Sequence, residues 1–580
     1  MSVDSKQVSL LYDFPKPVIG RIHVSVAAKM IKSKDAATPL AAHTKSVDST
    51  FEATASLTPE LVVALCGPIG SPLHETATQI KNALNEFGYR TEPIRLSELI
   101  RINTDFVGIP IDKSNRYSEI DTLIKAGDEL RRQLGNDVLA KMAIAKIGAD
   151  RRKSYGEFSD RANEGEKSSE SRIRTHRICH VIDSVKNVDE LKLLRLIYGE
   201  ALIAVGVFSP VEIRKKNLER PGALSSEDIA KLIDTDSGEE FSHGQSVRDT
   251  FPQCDFFLRV DEPITGPTEH KAVGQLVEKL RRFFNLIFRT AVVSPTPEEN
   301  AMYAAASAAR NSACMSRQVG AAVTSKGGEL LATGWNDVPS GGGGLYGKPP
   351  LFQISTEERG DERCYAQSGA KCHNDIEKRT IADKIIEALV NDSVLTAENQ
   401  EKAVQVIMKD SRVKDLIEFS RAVHAEMHAI LGASRVAGDR VIAGKVFVTT
   451  YPCHSCARHL VAAGISEIYY IEPYRKSLAT RLHSDALTEA IDGRGVKLMQ
   501  FDGVAPRRFI DLFDSGSRKS KAGVLDLKRR DEASPSTHVS LRAIPRLEEV
   551  VVAEISSTQL RLPELTTREG TDDQSTPTAA

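Results

Sequence analysis

Neither sign of charge dominates this 580-residue sequence, in which 77 Lys and Arg stand against 79 Asp and Glu for a formal net charge of −2. A protein that grips a nucleic-acid backbone carries a basic excess or a basic stripe, so the balance argues against a polynucleotide ligand. Long apolar runs are missing too. The longest, Leu202 to Phe208, has seven residues, far short of the ~18 that span a bilayer. No charged segment followed by an apolar one opens the chain, so a cytoplasmic protein with no membrane contact is expected. Cysteine is scarce, eight in all, which is no disulfide framework. Cys66, Cys179, Cys254 and Cys314 stand singly. The other four fall in two close groups, Cys364 with Cys372 and Cys453 with Cys456. In a reducing compartment such grouping points to metal ligation.

What is present is ordinary globular composition, 41% hydrophobic and 27% charged, in a chain too long for one hydrophobic core. Residues 1–56 lack periodicity and read as a mobile leader. Residues 57–292 alternate strand and helix. Leu61–Cys66 has strand length, Gly67-Pro-Ile-Gly70 is a glycine turn, and Ser71 and Pro72 suit the N-cap and first turn of a helix that Gly88 closes. Ile178–Asp183 and Ala201–Phe208 read as buried strands around a helix over Val188–Tyr198. Arg151 to Ser171 reads as an exposed loop. Together these predict a parallel α/β sheet.

A second domain, 293–515, begins with the capping box Thr296-Pro-Glu-Glu299. A hairpin turns at Lys326-Gly-Gly328. A polar insert over about 345–420 precedes an alternation of helices and strands that ends with a helix over Ser477–Ile491. The fold class is therefore α/β, a parallel-sheet domain followed by a mixed-sheet one. Residues 516–580 are polar and Pro/Ser-rich, and read as a largely unstructured tail with one strand near Val550.

Two short motifs carry the chemistry. His424-Ala-Glu426 and Pro452-Cys453-His-Ser-Cys456 each open a predicted helix, 29 residues apart, with a strand between. Cys453 and Cys456, three apart, share one face of a first helical turn, where the N-terminal dipole favours thiolates. One imidazole and two thiolates leave a fourth tetrahedral position open for water, as a catalytic zinc needs. Glu426 need not bind the metal and is free to move protons. His428, His454 and His459 read as helix-surface residues rather than ligands. The pattern is similar to that of zinc-dependent cytidine-type deaminases. A structural zinc site would need a second ligand pair nearby, and none is seen.

The surrounding wording resembles the deoxycytidylate deaminase family: Cys314-Met-Ser-Arg317-Gln-Val-Gly320, Gly334-Trp-Asn336-Asp-Val-Pro339 and Gly503-Val-Ala-Pro506 join the two motifs. The resemblance covers about 296–515. It implies one catalytic Zn2+, Glu426 as proton carrier and a free pyrimidine nucleotide as substrate. Arg317 and Asn336 match family positions near the sugar and phosphate, and Tyr474 lies where an aromatic would wall the base. Arg317 as a surface cation and Tyr474 as plain core are the alternatives. Cys364, Cys372 and His373 read either as a second, structural metal site or as unrelated residues of a loop.

Residues 61–87, with later pieces such as Val181-Ile-Asp183 and Arg214-Lys-Lys216, resemble a P-loop nucleotide-binding domain of the small-molecule kinase kind. Such a domain fused to a deoxycytidylate deaminase resembles the bacterial antiphage deoxycytidine nucleotide deaminases. Gly67, Gly70 and Ser71 are then the phosphate-binding candidates. The Lys that a P-loop sets against the β- and γ-phosphates is absent, so nucleotide sensing, with an effector such as dTTP, replaces phosphoryl transfer as the expected role. A homo-oligomer is expected. Deamination of tRNA or single-stranded DNA is the alternative activity.

Overall fold

The computed structural model describes residues 57–155, 177–219, 224–236, 246–264, 271–347, 360–473, 477–514, 516–535 and 543–562. The leader and most of the loop expected at 151–171 therefore lie outside the described residues.

The apolar run Leu61–Cys66 (β1) is buried at every position, as a central parallel strand must be when helices cover both faces. Leu73–Asn85 (α1) follows it, then Arg90–Arg95 (β2), Arg116–Leu134 (α2) and Val138–Tyr155 (α3). Ile178–Asp183 (β3) leads through Val188–Tyr198 (α4) to Leu202–Phe208 (β4). Val211–Leu218 (α5), Phe256–Arg259 (β5) and Lys271–Phe288 (α6) complete the first half. β3, buried throughout, and β4, buried except at Phe208, flank β1 and pair with it in parallel, and β2, polar and carrying Pro93, takes the edge.

The second half opens on Pro297–Ala309 (α7), whose capping box forms as the sequence predicts. Gly320–Thr324 (β6) and Leu330–Trp335 (β7) make the expected antiparallel hairpin. His373–Asn391 (α8) and Gln400–Asp410 (α9) lie in the insert. Then come Ala425–Val441 (α10), Lys445–Thr450 (β8), His454–Ala462 (α11) and Glu467–Glu472 (β9). Leu487–Thr488 (β10), Val496–Gln500 (β11) and Gly503–Val504 (β12) follow. The second sheet runs β10-β11-β9-β8-β6-β7, parallel except at β6.

The halves are not independent. β12, from the far end of the second half, pairs antiparallel with β5 and forms the edge of the first sheet. One apolar cluster runs from Val62 and Ile182 of the first sheet through Met302 to Phe447 and Ile471 of the second.

Two expectations are corrected. Residues 477–491 are helical only over Ala479–Leu482, because β10 is drawn into pairing with β11. The tail holds a helix, Ile544–Ser556 (α12), rather than a strand near Val550. Ile544, Glu548, Val551 and Ile555 recur at helical spacing and are buried, and packing of that face outweighs the polar composition.

Candidate active site and metal centre

Two helix N-termini deliver the ligands. His424 takes extended backbone angles as the N-cap of α10, and Cys453 does the same for α11, its Sγ accepting from Cys456 N–H at 3.4 Å. Because β8 lies beside β6 and α10 crosses β6 and β7, these two starts meet at one end of the sheet. The crossing is close: a Cβ at Gly334 of β7 would lie 2.4 Å from Ala429 N. Glycine is what lets α10 sit there.

His424 Nδ1 stands 3.4 Å from Cys453 Sγ and 3.3 Å from Cys456 Sγ. Tetrahedral ligation at ~2.1 Å to nitrogen and ~2.3 Å to sulfur separates the ligand atoms by about 3.6–3.8 Å, so the three fit a zinc ion with slight expansion. Among the described residues no other group of three His, Cys, Asp or Glu side chains converges this way. The hydrogen bond from the neighbouring Cys456 thiol lowers Cys453 to about 4, and the Cys453 hydrogen bond raises His424 to about 9. Glu426 is buried on the first turn of α10, and loss of solvent pushes its carboxyl up.

His424, Glu426 and Cys453 line a cavity of about 860 Å3, within the ~300–1,000 Å3 typical of small-molecule sites. Arg317 lines it and ion-pairs with Glu472. Asn336 also lines it, but both ends of its amide serve the backbone: Oδ1 accepts from Val319 N–H and Nδ2 donates to Arg317 C=O, each at 2.8 Å. Asn336 therefore positions Arg317. Tyr474 lies outside the described residues.

The structure corrects two further readings, those of His428 and Ser71. His428 is not on the surface; its Nδ1 accepts from Trp335 N–H at 3.2 Å and its ring meets the indole edge-on, pinning α10 to β7. His454 and His459 are partly and largely exposed, as expected. Cys364, Cys372 and His373 form no ligand cluster. Cys372 Sγ instead sits 3.8 Å from Ser316 Oγ, and His373 Nε2 2.7 Å from Gln367 Oε1. Ser71 is not the N-cap of α1, a place taken by Pro72. Among the described residues Ser71 Oγ has no hydrogen-bond partner.

That turn borders a second cavity of about 460 Å3. Its glycines admit protein, not open space: a Cβ at Gly67 would lie 2.3 Å from Val207 O, and one at Gly70 2.8 Å from Arg214 of α5. Asn217 of α5 donates to Gly70 C=O at 2.9 Å. At the cavity's rim His74 Nδ1 meets Asp183 Oδ2 at 2.5 Å.

Two contributors to the larger cavity carry no sequence motif. One is Arg248, on the short helix Val247–Thr250 of the first half; the other is the segment from Asp410 to Glu418 with its Arg412 and Lys414.

Residues 295–472 match the cytidine and deoxycytidylate deaminase zinc-binding region, so this stretch is a deaminase-type zinc domain. Among individual proteins, the chain is 25% identical over 170 residues to the deoxycytidylate deaminase of Enterobacteria phage T4, covering 29% of this chain and 74% of that one. It is 41% identical over 56 residues to ComE operon protein 2 of Bacillus subtilis (strain 168), 10% of this chain and only 29% of that protein's length. Among solved structures, the dCMP deaminase of cyanophage S-TIM5 in complex with dCMP and dUMP aligns with 19% identity and a TM-score of 0.21, covering 36% of this chain and 99% of that one. A gluconokinase from Sinorhizobium meliloti 1021 aligns with 15% identity and a TM-score of 0.20, covering 40% and 99%. Among the described residues no helix is long and apolar enough to cross a membrane.

Proposed function

We propose that this chain hydrolytically deaminates free deoxycytidine nucleotides, dCMP or dCTP, to their deoxyuridine counterparts. The observation that carries the reading is the buried Glu426 carboxyl beside the His424, Cys453 and Cys456 triad, at the floor of a nucleotide-sized cavity with Arg317 on its wall. His424, Cys453 and Cys456 would hold zinc, which supplies an acidified water when bound. Glu426 accepts a proton from water and passes it to N3 of the cytosine ring, making C4 electrophilic. When the water oxygen has bonded to C4, Glu426 takes its remaining proton and gives it to the amino group, which leaves as ammonia as C4 becomes a carbonyl.

The 460 Å3 cavity at the Gly67–Ser71 turn supports a second role, a sensor for a nucleotide such as dTTP. The cellular setting that fits is the cytoplasmic nucleotide pool during phage infection, where deamination would drain dCTP. Full-length, zinc-loaded protein incubated with deoxycytidine, dCMP, dCTP, CTP and cytosine-containing oligonucleotides, with products weighed by mass spectrometry, tests the reading. Conversion of the free deoxynucleotides is expected. Conversion of oligonucleotides alone would replace it with polynucleotide deamination.

A further inference from the structure

The wall of the deaminase cavity includes a side chain from outside the zinc-binding region. Arg248 rides on the helix Val247–Thr250, whose Val247 and Thr250 are buried, with Phe251 next to them. Val247 and Phe251 belong to the same apolar cluster as Ile471 of β9. Packing thus fixes Arg248 beside the end of β9, and its Nε lies 3.8 Å from Glu472 Oε1. Arg317 pairs with that same oxygen. Glu472 is itself tied to the zinc loop, since its carbonyl accepts from Tyr451 N–H at 2.9 Å, two residues before Cys453.

Two guanidinium groups from opposite halves of the chain, both lining the cavity, therefore share one carboxylate beside it. Arg412 and Lys414 also line the cavity, together with Asp410, Asp415 and Glu418. Lys414 is turned to the carbonyl of Lys409 at 2.7 Å. Guanidinium forks match phosphate oxygens in pairs. Arg317 lines the same cavity as His424 and Glu426, and we assign it to the phosphate nearest the sugar. A phosphate chain running on from there meets Arg248.

We propose that Arg248 is a specificity-determining residue that reads the outer phosphates of the substrate, giving the site its preference for a nucleoside polyphosphate over a monophosphate. This rests on the deamination reading for its substrate class. In the free protein Glu472 holds both arginines in place, and the phosphate chain takes over their donors on binding.

The test uses full-length, zinc-loaded protein with Arg248→Ala and Arg248→Lys. Deamination kinetics with dCMP, dCDP and dCTP are run beside calorimetric binding of dCTP and dCMP. Wild type should favour dCTP. Arg248→Ala should cut the dCTP-to-dCMP ratio of kcat/KM by about tenfold or more, mainly through KM, as loss of a charge-assisted contact to substrate does. Arg248→Lys should recover part of the ratio, because it keeps the charge and loses the fork. Zinc content and thermal midpoint, measured on each variant, exclude simple misfolding. A wild type that favours dCMP, or an Arg248→Ala ratio equal to wild type, overturns the proposal and leaves deamination standing. A protein that deaminates nothing yet binds dCTP in an Arg248-dependent way removes deamination and retains this site.

Discussion

Arg151 and Glu548, 397 residues apart in sequence, form a buried ion pair with Nε 2.9 Å from Oε2. The same guanidinium is held by Glu60 through two further bonds of 2.8 Å. Three segments, the approach to β1, the last turns of α3 and the middle of α12, are thereby tied at one point. Replacing Arg151 with Met would strand two carboxylates in the interior, and breaking a buried pair in this way costs about 3–5 kcal/mol. Glu548→Gln should cost less, since the amide oxygen still accepts from Arg151. Urea unfolding of both variants checks the ordering, and equal midpoints would refute it.

Glu426→Gln keeps the shape of the side chain and removes its ability to carry a proton. We expect kcat to fall by about 10²–10⁴, the usual worth of a general acid–base group, while zinc remains bound. His424→Ala and Cys453→Ala should instead lose the metal. Zinc determination on the purified variants, beside turnover, separates the two effects. A Glu426→Gln protein with near-normal turnover contradicts the assigned role.

Gly334→Ala should loosen the metal site without touching a ligand. Its Cβ would press on Ala429 N and Ala425 O, at 2.4 and 2.6 Å, and so push away the helix whose first residues are the ligand His424 and Glu426. Overpacking of this kind typically costs about 1–3 kcal/mol. Gly432→Ala is the matched control, because its Cβ would meet only the Ala332 Cβ at 3.4 Å. Chelator competition for zinc should show weakened affinity in the first variant and not in the second.

His74 supplies a pH prediction. Its hydrogen bond to Asp183 raises its pKa above the ordinary 6.5. A histidine raised on folding contributes stability that is complete below 6.5 and is lost as pH rises through the raised value. With 61% of the side chain exposed, the contribution is small. The gap in thermal midpoint between wild type and His74→Gln should therefore be widest in mild acid and close on the alkaline side. A gap that widens with rising pH would show the sign to be wrong.

How much of this was legible follows from what each feature depends on. Strand β1 ends where its apolar run ends, and the Thr296 capping box is a contract among four neighbouring residues. The zinc ligands were readable because their spacing is local to two helix starts. His428 was misread because its partner, Trp335, is 93 residues away. For α12 the polar composition masked a helical apolar stripe whose value appears only against α3. Arg248 had no signal at all, since nothing near it in sequence says that its helix ends up beside Glu472. Gly67 and Gly70 were read as phosphate-binding candidates, and what closely approaches them in the fold is Val207 and α5.

The two-residue strand β12 has a consequence for how this gene can change. Val504 N–H is held by Glu299 at 2.9 Å while the strand closes the other half's sheet. A crossover or truncation near residue 292 would leave one product with a bare sheet edge and the other with an unpaired strand. The halves should therefore recombine poorly when parted, and lesions in the first half that contact no nucleotide should be recovered in genetic screens as if they were catalytic nulls.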